Sequence, residues 1–283
     1  MKVVVTGAAG LLGRHVAAAC TEAGHRVVGV DLAVQTGDWE AVSADLCDLA
    51  ATVQVFAGAD AIAHCAAIPR PTGRAAAEVY RVNMATIYAA TEAARIVGVG
   101  TFVQASSFSV LGYPFAPVLP APRRLPIDES HPVAPQDVYG TTKWLAEELI
   151  DAAVRGGAFR AVSLRMPWIQ TAVTFWRDIG PRRLTRAAGA DLWAYLDAGD
   201  AGRAFVAALG WQGQGHLRCY VSAADTYSET ETRALVTDSF GPDLQVDQKL
   251  QGHDSLLSGA LAEEKLGFAP VTSWRSYTAG DNS

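Results

Sequence analysis

The hydrophobic pattern of the chain switches between short apolar runs and longer segments with apolar positions at helical spacing. Lys2 to Val5 (KVVV) predicts a buried strand, and an Ala-rich stretch beyond Gly7, Gly10 and Gly13 predicts a helix. Arg26 to Val30 repeats the strand pattern and ends in Asp31. Asp60 to Cys65 (DAIAHC) predicts a third or fourth parallel strand running into Ala66, Ala67 and Ile68. Glu78 to Val97 carries Val79, Val82, Ile87, Ala90, Ala94 and Val97 at helical spacing and stops at Gly98, a common C-terminal signal. Thr101 to Ala105 is the next strand, a proline-rich loop covers Tyr113 to Pro135, and a second long helix runs from Val138 to about Arg155. Val162 to Arg165 returns to strand. This alternation, free of repeats and low-complexity tracts, predicts an α/β fold on a doubly wound parallel sheet of the Rossmann type, with ligands at the carboxyl ends of the strands.

The alternation breaks after Arg165. Met166 to Gly189 carries Trp168, Gln170, Trp176, Arg177, Arg182, Arg183 and Arg186. Such a basic, aromatic insert reads either as a cover over a substrate or as a solvated loop with its tryptophans packed beneath. Trp193 to Asp197 is again strand-like, Asp200 to Leu209 helical, His216 to Ser222 a strand and Glu229 to Phe240 a helix, and the tail from Ser255 to Trp274 includes LAEEKLGFAP.

Composition narrows the class. Half of the 283 residues are hydrophobic, yet no run of eighteen apolar residues is present to span a bilayer, so a soluble globular protein without a membrane partner is expected. A formal charge of −6 argues against a nucleic-acid partner, which needs a basic face. Cys20, Cys47, Cys65 and Cys219 match neither metal-ligand nor Cys-x-x-Cys spacing, and no signal peptide precedes the first strand. Free thiols, no metal site and a cytoplasmic location are the expectation.

Candidate chemistry starts at the first turn. Gly7 permits the turn, Gly10 lets the backbone approach a pyrophosphate, and Gly13 lets the helix lie close on the sheet with its N-terminus toward the phosphates. Asp31, about twenty residues on, is placed to hold an adenosine ribose. Asp45 and Leu46 follow a short loop, beside the adenine. Ser106 and Ser107 lie at the carboxyl end of a predicted strand, and Tyr139 and Lys143 share a helix face four residues apart. A tyrosine of ordinary pKa near 10 is a poor base, but an ammonium and a cationic nicotinamide would favour its phenolate.

These residues resemble the extended short-chain dehydrogenase/reductases, the NAD-dependent epimerase/dehydratase family, and some also resemble uronate dehydrogenases. The resemblance rests on TGAAGLLG, Asp31, Asp45-Leu46, HCAA at His64 to Ala67, Asn83, the serine pair, YGTTK, and Ser163-Leu164-Arg165 before a proline. It implies Ser107, Tyr139 and Lys143 as the catalytic trio. It further implies NAD held by Gly7, Gly10, Leu11, Leu12, Gly13, Asp31, Asp45, Leu46, Ala66, Ala67, Asn83, Tyr139, Lys143 and Met166. NAD rather than NADP follows from Asp31 without a basic neighbour at Leu32 or Ala33. Ile68, Ser107, Phe108, Ser109, Trp168 and Arg177 would meet the substrate. The implied division is a dinucleotide-binding domain over 1–165, with 191–222 returning to it, and a substrate-binding region from 166–190 and 223–283. The family's frequent two-fold pairing through its long helices makes a homodimer the expectation, with Ile87, Trp144 and Leu145 as candidate contacts.

Three departures shape the substrate. Phe108-Ser109 stands where the 4,6-dehydratases have Asp-Glu and uronate dehydrogenases Asn-His, and the asparagine that sugar-nucleotide epimerases place after the arginine is missing. The C-terminal part is also short for a nucleotide and a sugar together. Arg177 matches a carboxylate-binding arginine of uronate dehydrogenases, and its planar fork suits a carboxylate. The expectation is an NAD-dependent oxidoreductase that interconverts a secondary alcohol and a ketone on a small sugar-like, uronate-like or cyclitol-like molecule. Epimerisation of a sugar or sugar nucleotide is the alternative within the enzyme class, and a catalytically silent dinucleotide sensor the alternative outside it.

Overall fold

The computed structural model describes residues 1–33, 37–185 and 189–278. Seven parallel strands form the central sheet: β1 (Lys2–Thr6), β2 (Arg26–Asp31), β3 (Glu40–Ser43), β4 (Ala61–His64), β5 (Thr101–Ser107), β6 (Arg160–Met166) and β9 (His216–Tyr220), in the order β3-β2-β1-β4-β5-β6-β9. A second, two-stranded sheet pairs β7 (Trp168–Gln170) with β8 (Tyr195–Asp197). The helices are α1 (Leu11–Glu22), α2 (Leu49–Phe56), α3 (Ala76–Val97), α4 (Val138–Arg155), the single turn α5 (Ala172–Thr174), α6 (Ala198–Leu209), α7 (Thr232–Phe240) and α8 (Ala260–Leu266).

Side-chain alternation sorts the strand residues onto two faces. Val3 and Val5 join α1 and α6 in one core, whereas Val4 joins α2, α3 and α4 in the other. Both faces are covered, which is why the strands read as continuous apolar runs. From β1 the chain crosses first to β2 on one side and later to β4 on the other, so the direction of winding reverses between β1 and β4. That reversal leaves a crevice at the strands' carboxyl ends, where ligands of this architecture bind.

The predicted elements are present, and outside the insert β3, α2 and α8 are unread additions. β8 is a strand as expected but pairs with β7 rather than with the main sheet, while α6 and β9 rejoin that sheet's layers. The insert becomes β7, α5, a π-helical turn over Phe175–Ile179 and a 3₁₀ turn over Gly180–Arg182; Arg186 lies outside the described residues. Phe175, Ile179, Trp193, Tyr195, Tyr220, Tyr227 and Trp274 form a third, aromatic core at the carboxyl end of the sheet. Of the expected dimer contacts, Ile87 turns inward onto its own sheet, Leu145 is half-buried, and Trp144 is exposed.

Candidate active site

The loop between β1 and α1 is shaped by close backbone approach. Gly7 adopts φ 70°, and a Cβ there would lie 2.7 Å from Ala66 N. At Gly13 a Cβ would stand 2.1 Å from Gly7 O, so α1 can sit this near the turn only with glycine. Thr6, at the end of β1, ties the turn to the next strand: its Oγ1 accepts from Cys65 N at 3.1 Å and Ala66 N at 3.2 Å. Its own proton is then directed at His64 Nδ1, 3.0 Å away, which puts the imidazole proton on Nε2. Burial, with Lys143 nearby, holds that imidazole neutral and pulls its pKa down to about 3. Cys65 and Ala66 are thereby fixed beside Gly7, and Ala67 follows them in the chain.

The other expected cofactor residues come from several elements, and of these Asp31 bonds to the turn directly. Asp31 ends β2 and accepts from Ala9 N at 3.0 Å and Leu32 N at 2.7 Å, so its carboxylate is anchored at the rim of the glycine loop. Ala44 N donates to Asp31 O, which brings Asp45 and Leu46 alongside; Asp45 caps Cys47 N at 2.9 Å and Leu46 is buried in the sheet's second core. Leu11 and Leu12 open α1, half-buried. Met166 closes β6 in register with Ser107 and is buried. Asn83 differs in kind from a free ligand donor: its Oδ1 accepts from Ile68 N at 2.8 Å, and its Nδ2 donates to Ile68 O at 3.2 Å and Thr142 Oγ1 at 3.1 Å. It clamps the loop after β4 to α3 and α4. A glycine cradle with no room for a side chain and a carboxylate at the end of β2 fit a dinucleotide.

Ser107, Tyr139 and Lys143 meet at the carboxyl end of β5. Asp137 caps α4 by accepting from Gly140 N at 2.9 Å, which places Tyr139 in the first turn and Lys143 one turn later. Lys143 Nζ donates to Ala105 O at 2.7 Å and lies 5.7 Å from the centroid of the Tyr139 ring. Burial pushes the Tyr139 phenol up to about 12, with a Ser107 hydrogen bond opposing and Asp137 adding to the rise. Burial likewise pulls the Lys143 ammonium down to about 8, against Cys65 and Glu147. In the chain by itself burial therefore sets the tyrosine against ionisation, and the expected help comes from two positive charges together, the Lys143 ammonium and a cationic nicotinamide. Ser107 Oγ donates to Ser109 Oγ at 3.0 Å and accepts from Ser109 N at 3.1 Å.

Sequence reasoning did not find the layer beneath the trio. Fully buried Glu147, one turn beyond Lys143 on α4, accepts from Ser106 Oγ at 2.6 Å and from the Arg165 fork at 3.0 and 2.7 Å. The signal available was the fourfold spacing Tyr139, Lys143, Glu147, a continuous stripe on one helix face.

Of the residues expected to meet substrate, Ile68 is half-buried, Phe108 and Ser109 are buried directly after Ser107, and Trp168 is 39% exposed beneath the Arg182 guanidinium. Trp176 packs against the aromatic core. Arg177 is on the surface, its Nε and NH2 closed on Asp178 at 2.7 and 2.8 Å. Arg182 pairs with Asp191 at 3.2 Å and Arg183 with Glu229 at 2.8 Å. Each of these three described arginines of the insert thus has a carboxylate partner within the chain.

The profile of the NAD dependent epimerase/dehydratase family matches residues 3–217. A UDP-glucose 4-epimerase from Corynebacterium glutamicum is 30% identical over 179 residues, 58% of this chain and 50% of that protein. The chain spans about half the length of the curated epimerases it matches. Among solved structures, a short-chain dehydrogenase/reductase superfamily protein from Agrobacterium tumefaciens with bound NAD superposes with TM-score 0.74 at 25% identity, covering 97% of this chain and 94% of that one. MoeE5 in complex with UDP-glucuronic acid and NAD gives 0.72 at 25%, covering 98% and 96%. With its family match over most of the sheet, its glycine turn and its Ser107, Tyr139 and Lys143, the chain belongs to the NAD-dependent epimerase/dehydratase family and is an enzyme of the extended short-chain dehydrogenase/reductase type that uses NAD.

Proposed function

We propose that this enzyme oxidises and reduces a secondary alcohol carbon of a compact sugar-like, cyclitol-like or uronate-like molecule. The observation that carries the reading is the convergence of Ser107, Tyr139 and Lys143 at the carboxyl end of β5, next to the glycine turn. The substrate hydroxyl lies between Ser107 Oγ and the Tyr139 phenol. Tyr139 takes the hydroxyl proton as the carbonyl forms, and Ser107 donates to the developing carbonyl oxygen. Lys143 supplies the positive charge that lowers the cost of the phenolate in this buried position. NAD, which the glycine turn and Asp31 would hold, would supply the hydride acceptor and a second positive charge.

A compact substrate is supported by the pairing of Arg177, Arg182 and Arg183 with acids of the chain, which leaves these cations engaged rather than free for a diphosphate. The lack of the epimerases' asparagine after Arg165 points the same way. The second reading is epimerisation, favoured by the curated relatives named UDP-glucose 4-epimerase. In that case the same trio returns the proton and the ketone is reduced from its other face without release of NADH.

The test is incubation with NAD and a panel of hexoses, cyclitols, uronates and UDP-glucose, following both NADH absorbance and product by chromatography. Net NADH with ketone or lactone is expected. Product without net NADH selects epimerisation, and tight NAD binding with no product across the panel overturns both in favour of a sensor.

A further inference from the structure

We propose that Ser106 is a positioning residue: through Glu147 and Arg165 it fixes the helix face bearing Tyr139 and Lys143 against the strand end bearing Ser107. It rests on the hydride-transfer reading above, and assigns a role to a side chain that touches none of the reacting groups.

The geometry is a set of contacts from three consecutive strand residues to three positions on one helix face. Ala105 O accepts from Lys143 Nζ at 2.7 Å, Ser106 Oγ donates to Glu147 Oε1 at 2.6 Å, and Ser107 meets Tyr139. Tyr139, Lys143 and Glu147 recur every fourth residue, so they form one stripe along α4. Ser106 lies between the other two along the strand, and its partner Glu147 ends the stripe on the helix. The Ala105 and Ser107 contacts involve groups that must be free to act on substrate or cofactor, whereas the Ser106 bond has no other duty.

Glu147 is anchored from every side that packs on it. From β6, Arg165 forks onto both oxygens, and from β9 Arg218 Nε lies 3.2 Å from Oε2. Arg165 is itself held over the Tyr220 ring at 5.5 Å, and Tyr220 N donates to Glu129. Lys143 is faced by His64 and Cys65 from the end of β4 and by Glu147 from its own helix. A buried carboxylate and guanidinium are costly to desolvate, and an apolar pair of similar volume often packs as well or better. What an apolar pair cannot do is fix register by direction. The hydroxyl of Ser106 is short and charge-assisted, and it reaches α4 from the residue that pairs with Arg165 in the β5–β6 ladder. One carboxylate therefore aligns β5, α4 and β6 in the layer directly below the chemistry.

The experiment compares wild type, Ser106→Ala, Ser106→Thr and Tyr139→Phe. NAD itself is the probe, its affinity measured by tryptophan-fluorescence quenching. The Tyr139 phenol is followed with NAD bound by near-ultraviolet difference absorbance, the Tyr139→Phe spectrum subtracted to isolate it. Loss of the Ser106 hydroxyl should weaken NAD about fivefold, the size of one net hydrogen bond, and should move the Tyr139 titration upward as Lys143 loses its fixed place. Ser106→Thr, which keeps the hydroxyl, should restore both. Melting followed by circular dichroism separates this from a merely structural role. If Ser106→Ala leaves NAD affinity and the Tyr139 titration unchanged, whether or not it melts earlier, the proposal is overturned. An effect that threonine fails to rescue also overturns it. Should wild type bind no NAD, the parent reading falls first; should wild type bind and Ser106→Ala bind equally, only the positioning role falls.

Discussion

The two sides of the crevice at the carboxyl end of the sheet are built by different means. On the sheet side, small and β-branched residues pack in two layers, and several of the candidate site residues recur at short sequence spacing: Gly7 to Gly13, Tyr139 to Lys143, Ser107 to Ser109. On the substrate side, large aromatic rings from distant segments meet. Phe175 stacks on Trp274 with centroids 5.2 Å apart, and it contacts Tyr195 and Tyr277 edge-on. Leu192 and Trp193 there adopt φ 53° and 50°, a left-handed backbone rare for such residues. It is held because Trp193 N donates to Asp191 Oδ1, Tyr227 N donates to Trp193 O, and the Tyr227 hydroxyl reaches both Asp191 oxygens. On the proposed function, much of the hydride-transfer machinery is marked by local spacing, whereas the proposed substrate side depends on long-range packing.

The largest effect should fall on the chemical side of that comparison. Tyr139→Phe keeps the ring against Phe115, 6.3 Å away edge-on, and removes the proton-exchanging oxygen. Turnover of whichever panel substrate is found should drop by about two to four orders of magnitude, with NAD affinity nearly unchanged. Retention of most activity in steady-state assays would remove tyrosine from the mechanism. Next in size is Gly13→Ala. A methyl group 2.1 Å from Gly7 O forces α1 off the turn, so NAD binding by fluorescence titration should weaken on the order of 10- to 100-fold, in line with the strain of overpacking. Unaltered affinity would show that the cofactor does not depend on that close approach.

The same contrast governs what could be read from sequence. The sheet order follows from apolar runs and crossover helices, and the glycine turn, Asp31 and Tyr139-Lys143 are recognisable because their function requires fixed local spacing. β3 escaped because Glu40–Ser43 is short, half-exposed and at the sheet edge, so it has no apolar run to announce it. α2 escaped although Asp48 caps it through Ala50 N and Ala51 N, a signal present but not used. The partner of β8 could not be inferred, since strand pattern gives conformation but not pairing. Ser106, Glu147 and Arg165 are separated by 41 and 18 residues, and only the fold brings them into one cluster.

Asp31 sharpens the cofactor side at a smaller scale. Its carboxylate, fixed by Ala9 N and Leu32 N, should accept from the ribose hydroxyls and repel a 2′-phosphate. Asp31→Ser should narrow the NAD over NADP preference about tenfold, an energy of the size of one partly exposed charge repulsion. Equal binding of the two cofactors by wild type, measured by calorimetry, would refute the assignment. On the substrate side, Arg177 remains our proposal for a carboxylate-binding group, now with the condition that a substrate carboxylate must replace Asp178 in its fork. Arg177→Ala should raise the Michaelis constant of an anionic substrate roughly fivefold, the size of one hydrogen bond, and leave its neutral analogue unchanged. Arg177→Lys should behave similarly, since the ammonium lacks the bidentate fork. Equal losses on both compounds would mean that Arg177 reads no charge.

The smallest expected change is a twofold one in mass. The sheet side leaves aromatic surface outside its cores: Tyr80 is 47% and Tyr88 54% exposed on α3, eight residues apart and hence on one face, and Trp144 is 37% exposed on the adjoining α4. α3 and α4 pack side by side over the second core, so these rings are available to a second copy of the chain without disturbing the crevice. We propose a homodimer through these two helices, with Trp144 rather than Ile87 as its contact. A charge at the centre of an apolar contact leaves an unpaired ion on desolvation. Trp144→Glu should therefore shift light scattering from dimer to monomer while NAD affinity is retained. A wild-type monomer at tens of micromolar protein would refute the pairing, and it would leave the exposed rings of α3 and α4 as ordinary surface.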